Sequence, residues 1–348
     1  MKIALLFSSK AGMAATVNRR PDDSVCEDDE PPLDHLAECD SDETIQAVVS
    51  ALRARHDVAM IEADEEAYLR LRELRPDMVF NIAERLYGPN REAHIPVVCE
   101  ILGLPYTGSD PLTLSLCLDK SRAKEILSYY GIPNARFWTI EPGQAVPSDI
   151  ALPAIVKPLF EGSSKGIKDR NVVRTRAELE ALAAEVTGIY KQPVIVEQFL
   201  TGREFTVGVL GTYPRAEILP IVEIDYRDLP AGANPIYSYE AKWIWDTPDK
   251  PLDIFSCPAD IPAALKARIE EVITATCRIL RIKDWCRIDV RLDEAGVPNI
   301  IEVNPLPGIL PNPEENSCLP KAARTAGYAY NDLILRVVEE AKARYGMC

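Results

Sequence analysis

Three groups of residues in this chain have the types and spacing to handle a phosphorylated ligand. The first is a lysine, Lys157, at the end of an apolar run, followed by Pro158 and the small-residue stretch Glu161-Gly162-Ser163-Ser164-Lys165-Gly166. A lysine leaving a strand can neutralise phosphate oxygens, and a glycine- and serine-bearing loop lets backbone N–H groups approach them closely. Taken alone, the segment is equally compatible with a surface turn. The second group is Arg287-Ile288-Asp289 with Ile301-Glu302-Val303-Asn304. Period-2 spacing puts Glu302 and Asn304 on one face of a strand, and a hairpin can bring Asp289 alongside. Three hard oxygen donors on adjacent strands suit Mg2+, which also takes oxygens from nucleotide phosphates. A solvated strand face is the competing reading. The third group is Glu197-Gln198-Phe199-Leu200 with Gly202-Arg203-Glu204. The Phe–Leu pair could hold an adenine and Glu204 could accept from ribose hydroxyls, although the segment by itself is no better than any edge strand. No G-x-x-x-x-G-K-[ST] motif occurs, nor a G-x-G-x-x-G after a strand. A P-loop enzyme and a standard dinucleotide-binding domain are therefore disfavoured.

These residues need elements to carry them. Residues 3–7 form a compact apolar run that suits a parallel strand, and 43–55 read as an amphipathic helix with Ile45, Val48, Val49 and Leu52 on one face. A strand over 58–61, a helix over 65–74 and a strand over 78–81 complete a β-α-β-α-β order, which implies a parallel sheet with helices on its faces. A helix over 95–102 stops at Gly103, and one long helix is expected from 112 to 130, stopped by Gly131-Ile132-Pro133. Strands follow at 154–157, 194–198, 204–210 and 218–224. Residues 234–247 are polar, aromatic and aperiodic, as a loop covering a site would be. A helix over 262–280, paired strands at 285–292 and 299–303, and a terminal helix over 330–344 close the chain. Residues 10–42 hold Glu27-Asp28-Asp29-Glu30 and Pro31-Pro32 with little periodicity, and read as an extended or mobile acidic loop, a solvated insertion.

Composition bounds the partners. The chain has 348 residues and a formal net charge of -15, so nucleic acid and anionic membranes are not expected as partners. Its nine cysteines form no C-x-x-C pair and only His35, His56 and His94 could assist them, which argues against zinc and for reduced thiols in a cytoplasmic protein. No signal peptide is expected at Met1-Lys2-Ile3-Ala4-Leu5-Leu6-Phe7, and no stretch approaches the roughly 18 apolar residues of a transmembrane helix.

In order along the chain, several of these segments resemble the ATP-grasp superfamily and, within it, the D-alanine–D-alanine ligase group. They are Gly103-Leu104-Pro105-Tyr106-Thr107-Gly108-Ser109, Asp119-Lys120, Val156-Lys157-Pro158 with the small-residue loop, and the stretch from Glu197 to Glu204. Tyr239-Glu240-Ala241-Lys242, Arg287-Ile288-Asp289-Val290, Glu302-Val303-Asn304-Pro305 and Pro307-Gly308 follow. The resemblance covers about residues 96–342. It implies an α/β protein with an ATP-grasp fold behind an N-terminal parallel α/β domain, divided as 1–110, 111–210 and 211–348. It also implies an ATP-dependent carboxylate–amine ligase working through an acyl phosphate on amino-acid or dipeptide-like substrates, as a homodimer. Lys120, Lys157 and Lys242 would contact the ATP phosphates, with Glu161 and Ser164 in the same loop. Glu197, Phe199 and Leu200 would line the adenine pocket and Glu204 would bind ribose. Asp289, Glu302 and Asn304 would hold two Mg2+ ions, with Mn2+ able to substitute. Arg287 would stabilise the tetrahedral intermediate, Ser163 would sit near the substrates, and Gly308 and Ser317 would help fix the second substrate's carboxylate.

Four departures from the family pattern fall on substrate recognition. No counterpart is evident for the glutamate that binds the first D-alanine's amine. Asn81-Ile82-Ala83-Glu84-Arg85-Leu86-Tyr87-Gly88 replaces the usual His-Gly-x-x-Gly-Glu-Asp-Gly. Trp243 stands where a tyrosine follows the lid lysine, and the stretch 309–316 is longer than usual. Glu84, Arg85 and Arg91 are candidate replacements in the N-terminal pocket, with surface placement as the alternative, and Trp243 could cap a larger acyl substrate. The substrates therefore stay open. A true D-alanine–D-alanine ligase with an altered recognition shell, a nucleotide-binding regulator without catalysis, and an ATP-grasp kinase are the other readings.

Overall fold

A computed structural model describes residues 1–17, 32, 34–245, 252 and 254–347; the side chains of residues 15–17 and Trp243 also lie outside the description. Its strands form three sheets. In the first, Lys2–Phe7 is central and pairs in parallel with Asp57–Glu62 on one side and Met78–Asn81 on the other. Alternation along the central strand sends Ile3, Leu5 and Phe7 to Ile45, Val48 and Leu52 of the helix Asp42–Arg53. Ala4 and Leu6 go to the opposite face, against Leu71, Ile95 and Cys99. An apolar strand buried on both sides is what a parallel sheet requires.

The second sheet is antiparallel, in the order Phe137–Ile140, Val194–Gln198, Ala154–Pro158, Val172–Val173. It is backed by the helix Arg176–Tyr190, which starts at a capping box between Thr175 and Glu178. The third is a six-stranded antiparallel sheet. Its main path runs Phe255–Ser256, Val222–Ile224, Glu204–Leu210, Trp285–Leu292, Pro298–Asn304, and Glu217–Ile218 pairs with Glu204–Leu210 off that path. Phe205, Val207, Cys286, Ile288 and Val290 pack against Ile269, Ile273 and Cys277 of the helix Ala263–Ile279. The residues between them, Glu204, Thr206, Arg287, Asp289 and Arg291, must then face the other way, toward the second sheet.

The structure corrects four expectations. The helix expected over 112–130 is two helices, Pro111–Leu118 and Lys120–Tyr129. Asp119 between them is extended, and its side chain accepts from the N–H groups of Ser121 (3.0 Å) and Arg122 (3.1 Å). An aspartate that caps a new helix competes with continuation of the old one. The strand expected over 218–224 is broken at Leu219-Pro220-Ile221, where proline has no N–H for the ladder. Within 234–247, Ala241–Trp245 is a helical turn, and 246–247 lie outside the described residues. Residues 10–42 are not a uniform solvated loop. Lys10–Val17 is a helix, held where Ser9 N–H and Oγ each donate to Glu62 at 2.8 Å, and 34–38 form a turn whose Asp34 and Glu38 are buried. Residues 18–31 and 33 lie outside the described residues. The helices Arg176–Tyr190 and Cys318–Thr325 and the strand Phe137–Ile140 were not among the expected elements.

One buried carboxylate joins distant parts of the chain. Asp284 accepts from Gly108 N–H (2.8 Å) and from Arg344 Nη2 (2.7 Å) and Nε (3.1 Å), and the same guanidinium reaches the Tyr106 carbonyl. Breaking a buried pair by removing one partner leaves an uncompensated charge, at a cost of roughly 3–5 kcal/mol. Asp284→Ala should therefore lower the unfolding free energy from urea titration by an amount of that order; an unchanged value would show that the cluster is dispensable.

Candidate active site

Between the second and third sheets lies a cavity of about 380 Å³, which the first sheet's loops also help to line. Lys157 enters it from the strand Ala154–Pro158, and its Nζ stands 2.9 Å from Glu197 Oε2 on the neighbouring strand. Glu197 Oε1 is 3.4 Å from Lys124 Nζ. Burial works to raise the Glu197 carboxyl, but Lys124 and Lys157 outweigh it and hold it below the usual range. Burial lowers Lys124 despite Glu197, whereas for Lys157 the glutamate wins and raises it. The closer pair is thus the better compensated one. Lys124 was not singled out in the sequence, although it lies one helical turn beyond Lys120, on the same face.

The hairpin of the third sheet brings the second group together. Asp289 is the register partner of Glu302, and Arg287 of Asn304, with a bulge immediately after Asp289. Arg287 Nη2 is 3.0 Å from Asp289 Oδ2, and Asn304 Nδ2 is 3.4 Å from the same oxygen. Glu302 Oε1 is 2.9 Å from Lys120 Nζ, which also donates to the Glu161 carbonyl. Burial raises the Glu302 carboxyl, and Lys120 more than offsets this. No cluster of three or more His, Cys, Asp or Glu side chains able to hold a metal occurs among the described residues. A cation at Asp289, Glu302 and Asn304 would accordingly need the Asn304 amide and oxygens from outside the protein, a pattern that suits Mg2+ better than a transition metal. Thr206, 1% exposed and the register partner of Asp289, lines the cavity with a hydroxyl that has no hydrogen-bond partner.

Phe199 and Leu200 line the same cavity at the end of the strand Val194–Gln198. Arg291 sits with its guanidinium 4.9 Å from the Phe199 ring centroid and pairs with Glu204 at 2.8 Å. The Glu204 carboxyl is nonetheless raised, by burial first.

Ser163 and Ser164 line the cavity at φ 50° and 61°, two successive residues in the left-handed region. Behind them lies a buried ion cluster. Glu38 is 2.8 Å from Arg91 and 3.0 Å from Lys165, and Glu161 pairs with Lys165 and lies 3.6 Å from Arg91. Burial would raise Glu38, but Arg91 and Lys165 hold it down at about 2. Arg91 therefore belongs to a buried network. Arg85 points away, donating to the Asp64 carbonyl at 3.3 Å. No local signal marked Glu38, which sits in an aperiodic stretch far from its partners.

At the opposite end, Gly308 and Ser317 meet: Ser317 Oγ donates to the Gly308 carbonyl at 3.4 Å and accepts from Leu310 N–H at 3.2 Å. Lys242 lines the cavity, and burial followed by repulsion from Arg287 lowers it to about 8. Trp243 follows on the same helical turn, but its side chain lies outside those described. Glu84 and Asp40 also line the cavity, and burial pushes Asp40 up to about 7 and Glu84 well above its usual range.

Comparison with known proteins gives consistent relatives. The family model for the D-ala D-ala ligase C-terminus matches residues 126–339. The chain is 33% identical to the uncharacterized protein y4sG of Sinorhizobium fredii, covering 86% of this chain and 87% of that one. It is 33% identical to the D-alanine–D-alanine ligase of Bordetella petrii, covering 84% of each chain. The D-alanine–D-alanine ligase of Aquifex aeolicus is also 33% identical, covering 85% of this chain and 93% of that one. Among solved structures, the D-alanine–D-alanine ligase of Bacillus anthracis complexed with ATP superposes with a TM-score of 0.71 over 99% of both chains, at 21% identity.

Asp40 makes part of the site's pH dependence testable. Its folded-state value, about 7, lies above the ordinary carboxylate value near ~4, so the folded state binds the proton more tightly. The resulting stability is complete below about pH 4 and is lost as pH rises through 7. Glu92, raised to about 7 by burial, acts in the same direction. Asp40→Asn should therefore reduce, without abolishing, the fall in melting temperature between pH 5 and pH 8; an unaltered slope would rule out a buried Asp40 proton.

Proposed function

The chain belongs to the D-alanine–D-alanine ligase family, ATP-dependent carboxylate–amine ligases of the ATP-grasp fold, and from that premise we propose that its cavity takes ATP, magnesium and two small amino-acid-like substrates and joins them through an acyl phosphate. The observation that carries this reading is the convergence of Lys120, Lys157 and Lys242 with Asp289, Glu302, Asn304 and Arg287 on one cavity. Cations for a triphosphate and oxygen donors for its metal are both needed there, and neither set alone would be.

Each residue's task follows from its chemistry. Phe199 and Leu200 line the adenine pocket, and Glu204 accepts from the ribose, a role its raised affinity for protons does not prevent while Arg291 stays beside it. Lys120 and Lys157, with Glu161 and Ser164 in the adjoining loop, hold the phosphates, and Glu197 keeps Lys157 charged. Asp289, Glu302 and Asn304 hold two Mg2+ ions, or Mn2+ in their place, which when bound neutralise phosphate charge. Thr206 adds an unsatisfied hydroxyl on the same face. A carboxylate is a poor electrophile, so positioning and screening it against the γ-phosphate is the main work of the lysines. Attack by the amine on the acyl phosphate builds negative charge that Arg287 stabilises. Asp40 and Glu84 suit the ammonium of an amino-acid substrate, and Gly308 and Ser317 its carboxylate, with Ser163 and Trp243 beside the reacting groups. The turn Ala241–Trp245 and the residues before it cover the site against water, which would hydrolyse the acyl phosphate. The three sheets support a division near residue 110, and because the strand Glu204–Leu210 belongs to the third sheet the second boundary falls before it rather than at 210; a cytoplasmic homodimer is our reading from the family. No helix among the described residues is long and apolar enough to cross a membrane.

The decisive assay supplies Mg2+-ATP with D-alanine, then with a panel of D- and L-amino acids and dipeptides, and reads ADP release together with the mass of any product. ADP formed in step with an amide is expected, and Arg287→Ala should lower kcat at least about 100-fold, as losing an oxyanion donor does. ADP formed with a phosphorylated product and no amide, whatever amine is supplied, would overturn the ligase reading in favour of a kinase.

Lys242 yields a further expectation. Having a value of about 8, it loses its charge as pH rises through that point, so the affinity for ATP should fall between pH 8 and pH 10. Lys242→Arg, charged throughout this range, should flatten the profile in equilibrium titrations; a wild-type affinity flat over the same interval would remove Lys242 from the phosphate site.

A further inference from the structure

Asp34 and Glu38 of the acidic segment take no part in the chemistry above, yet both are built into the loop to which that reading gives the phosphates. Glu38 Oε1 accepts from Gly162 N–H at 2.6 Å, and Asp34 Oδ2 accepts from Gly166 N–H at 2.8 Å. These two N–H groups bracket Ser163 and Ser164, the pair held in the left-handed region. Such a backbone is unfavourable for residues with a side chain and persists only where its surroundings over-determine it. The surroundings are specific here. A Cβ on Gly162 would stand 2.7 Å from Glu38 Oε1, so glycine alone permits the approach. Gly166 has φ 68°, and its Cβ would collide with Pro158 and Tyr190. Tyr190 in turn donates from its hydroxyl to Asp34 Oδ2 at 2.6 Å. Lys165 and Arg91 fix Glu38 from the other side, and Arg91 also reaches the Phe160 carbonyl at 2.7 Å, just before the loop.

We propose that residues 34–38 are a strap, with Asp34 and Glu38 as positioning residues that hold both ends of the 161–166 loop so that Ser163 and Ser164 stay in the conformation that receives the ATP phosphates. The strap reaches further through that loop. Ser164 Oγ donates to the Tyr237 carbonyl at 2.9 Å, and Tyr239 N–H donates to the Ile167 carbonyl at 2.7 Å. The N-terminal insertion, the phosphate loop and the segment covering the site are therefore connected by one chain of hydrogen bonds. Glu38 is charged down to about pH 2, so the contact persists across the working range.

The inference rests on reading the cavity as an ATP site, and comparing ATP with adenosine separates the two. Adenosine carries no phosphates and reports on the adenine and ribose contacts alone. Isothermal titrations of the full chain with Mg2+-ATP and with adenosine are made on wild type, Asp34→Ala, Asp34→Asn and Glu38→Gln, at a temperature where circular dichroism shows each to be folded. Asp34→Ala and Glu38→Gln should weaken ATP about tenfold, the scale of one lost charge-assisted hydrogen bond, and leave adenosine unchanged. Asp34→Asn keeps an acceptor for Gly166 N–H and should lose less. Unchanged ATP affinity in the folded variants would overturn the strap, as would equal weakening of ATP and adenosine, the mark of a merely structural role. Should Glu38→Gln not fold, the two Asp34 variants decide alone. Failure of the wild type to bind either nucleotide would overturn the ATP site itself, and the strap with it.

Discussion

Glu197 is 1% exposed, and each of its oxygens faces a lysine, Oε2 hydrogen-bonded to Lys157 at 2.9 Å and Oε1 within ion-pair distance of Lys124 at 3.4 Å. Removing one such ion from water costs several kcal/mol, and the mutual attraction repays this only when every charge is matched. This constraint organises the whole cleft. The polyanion site proposed above needs cations that are buried yet charged before the ligand arrives, and three of the lysines have carboxylates beside them: Glu197 for Lys157, Glu302 for Lys120, Glu38 and Glu161 for Lys165. A ligand with several negative charges can then enter by exchanging partners rather than by creating charge. A chain with a net charge of -15 can thus still hold buried lysines, each of these beside a carboxylate of its own.

The third sheet turns that balance into geometry. With Phe205, Val207, Ile288 and Val290 committed to the helix Ala263–Ile279, the alternate residues have only the cavity to face. The bulge after Asp289 lets the register change directly beyond the Asp289–Glu302 pair, which keeps Ile300 in the core. Core packing on one side of the strand and the acid–amide–guanidinium set on the other are thus two consequences of a single alternation. Displacing the register by one residue would reverse both.

What could be read beforehand divides along the same line. Lys157, Asp289, Glu302 and Asn304 were legible because the signal is local: a period of two, an apolar flank, a lysine before a small-residue loop. Pairing across the hairpin followed from the same spacing. The break at Asp119 was not legible, since apolar periodicity runs on through it and only the cap shows that the helix restarts. The division of 218–224 is marked only by Pro220, and the flanking Ile and Val residues carry the apolar signal of a single strand across it. Glu38 and Arg91 lay beyond local reasoning altogether. They are 53 residues apart, and Glu38 meets Gly162 across 124 residues. A carboxylate in an acidic, aperiodic run looks solvated until its long-range partners are known.

Similar contrasts run among the carboxylates of the cleft. Glu38, Glu197 and Glu302, each beside a lysine or arginine, are held low. Burial dominates at Asp40 and Glu84, which are pushed up, and at Glu204 despite its pairing with Arg291. A raised carboxylate in a cavity is a site whose electrostatic demand is unmet, and a cation entering beside it recovers the cost of its burial. On the proposed reading, an anionic ligand finds its place beside the lysines and an ammonium beside Asp40 and Glu84. The departure from the family pattern noted at Glu84 falls among these raised carboxylates, in the part of the cleft that the proposed reading gives to the amino acid.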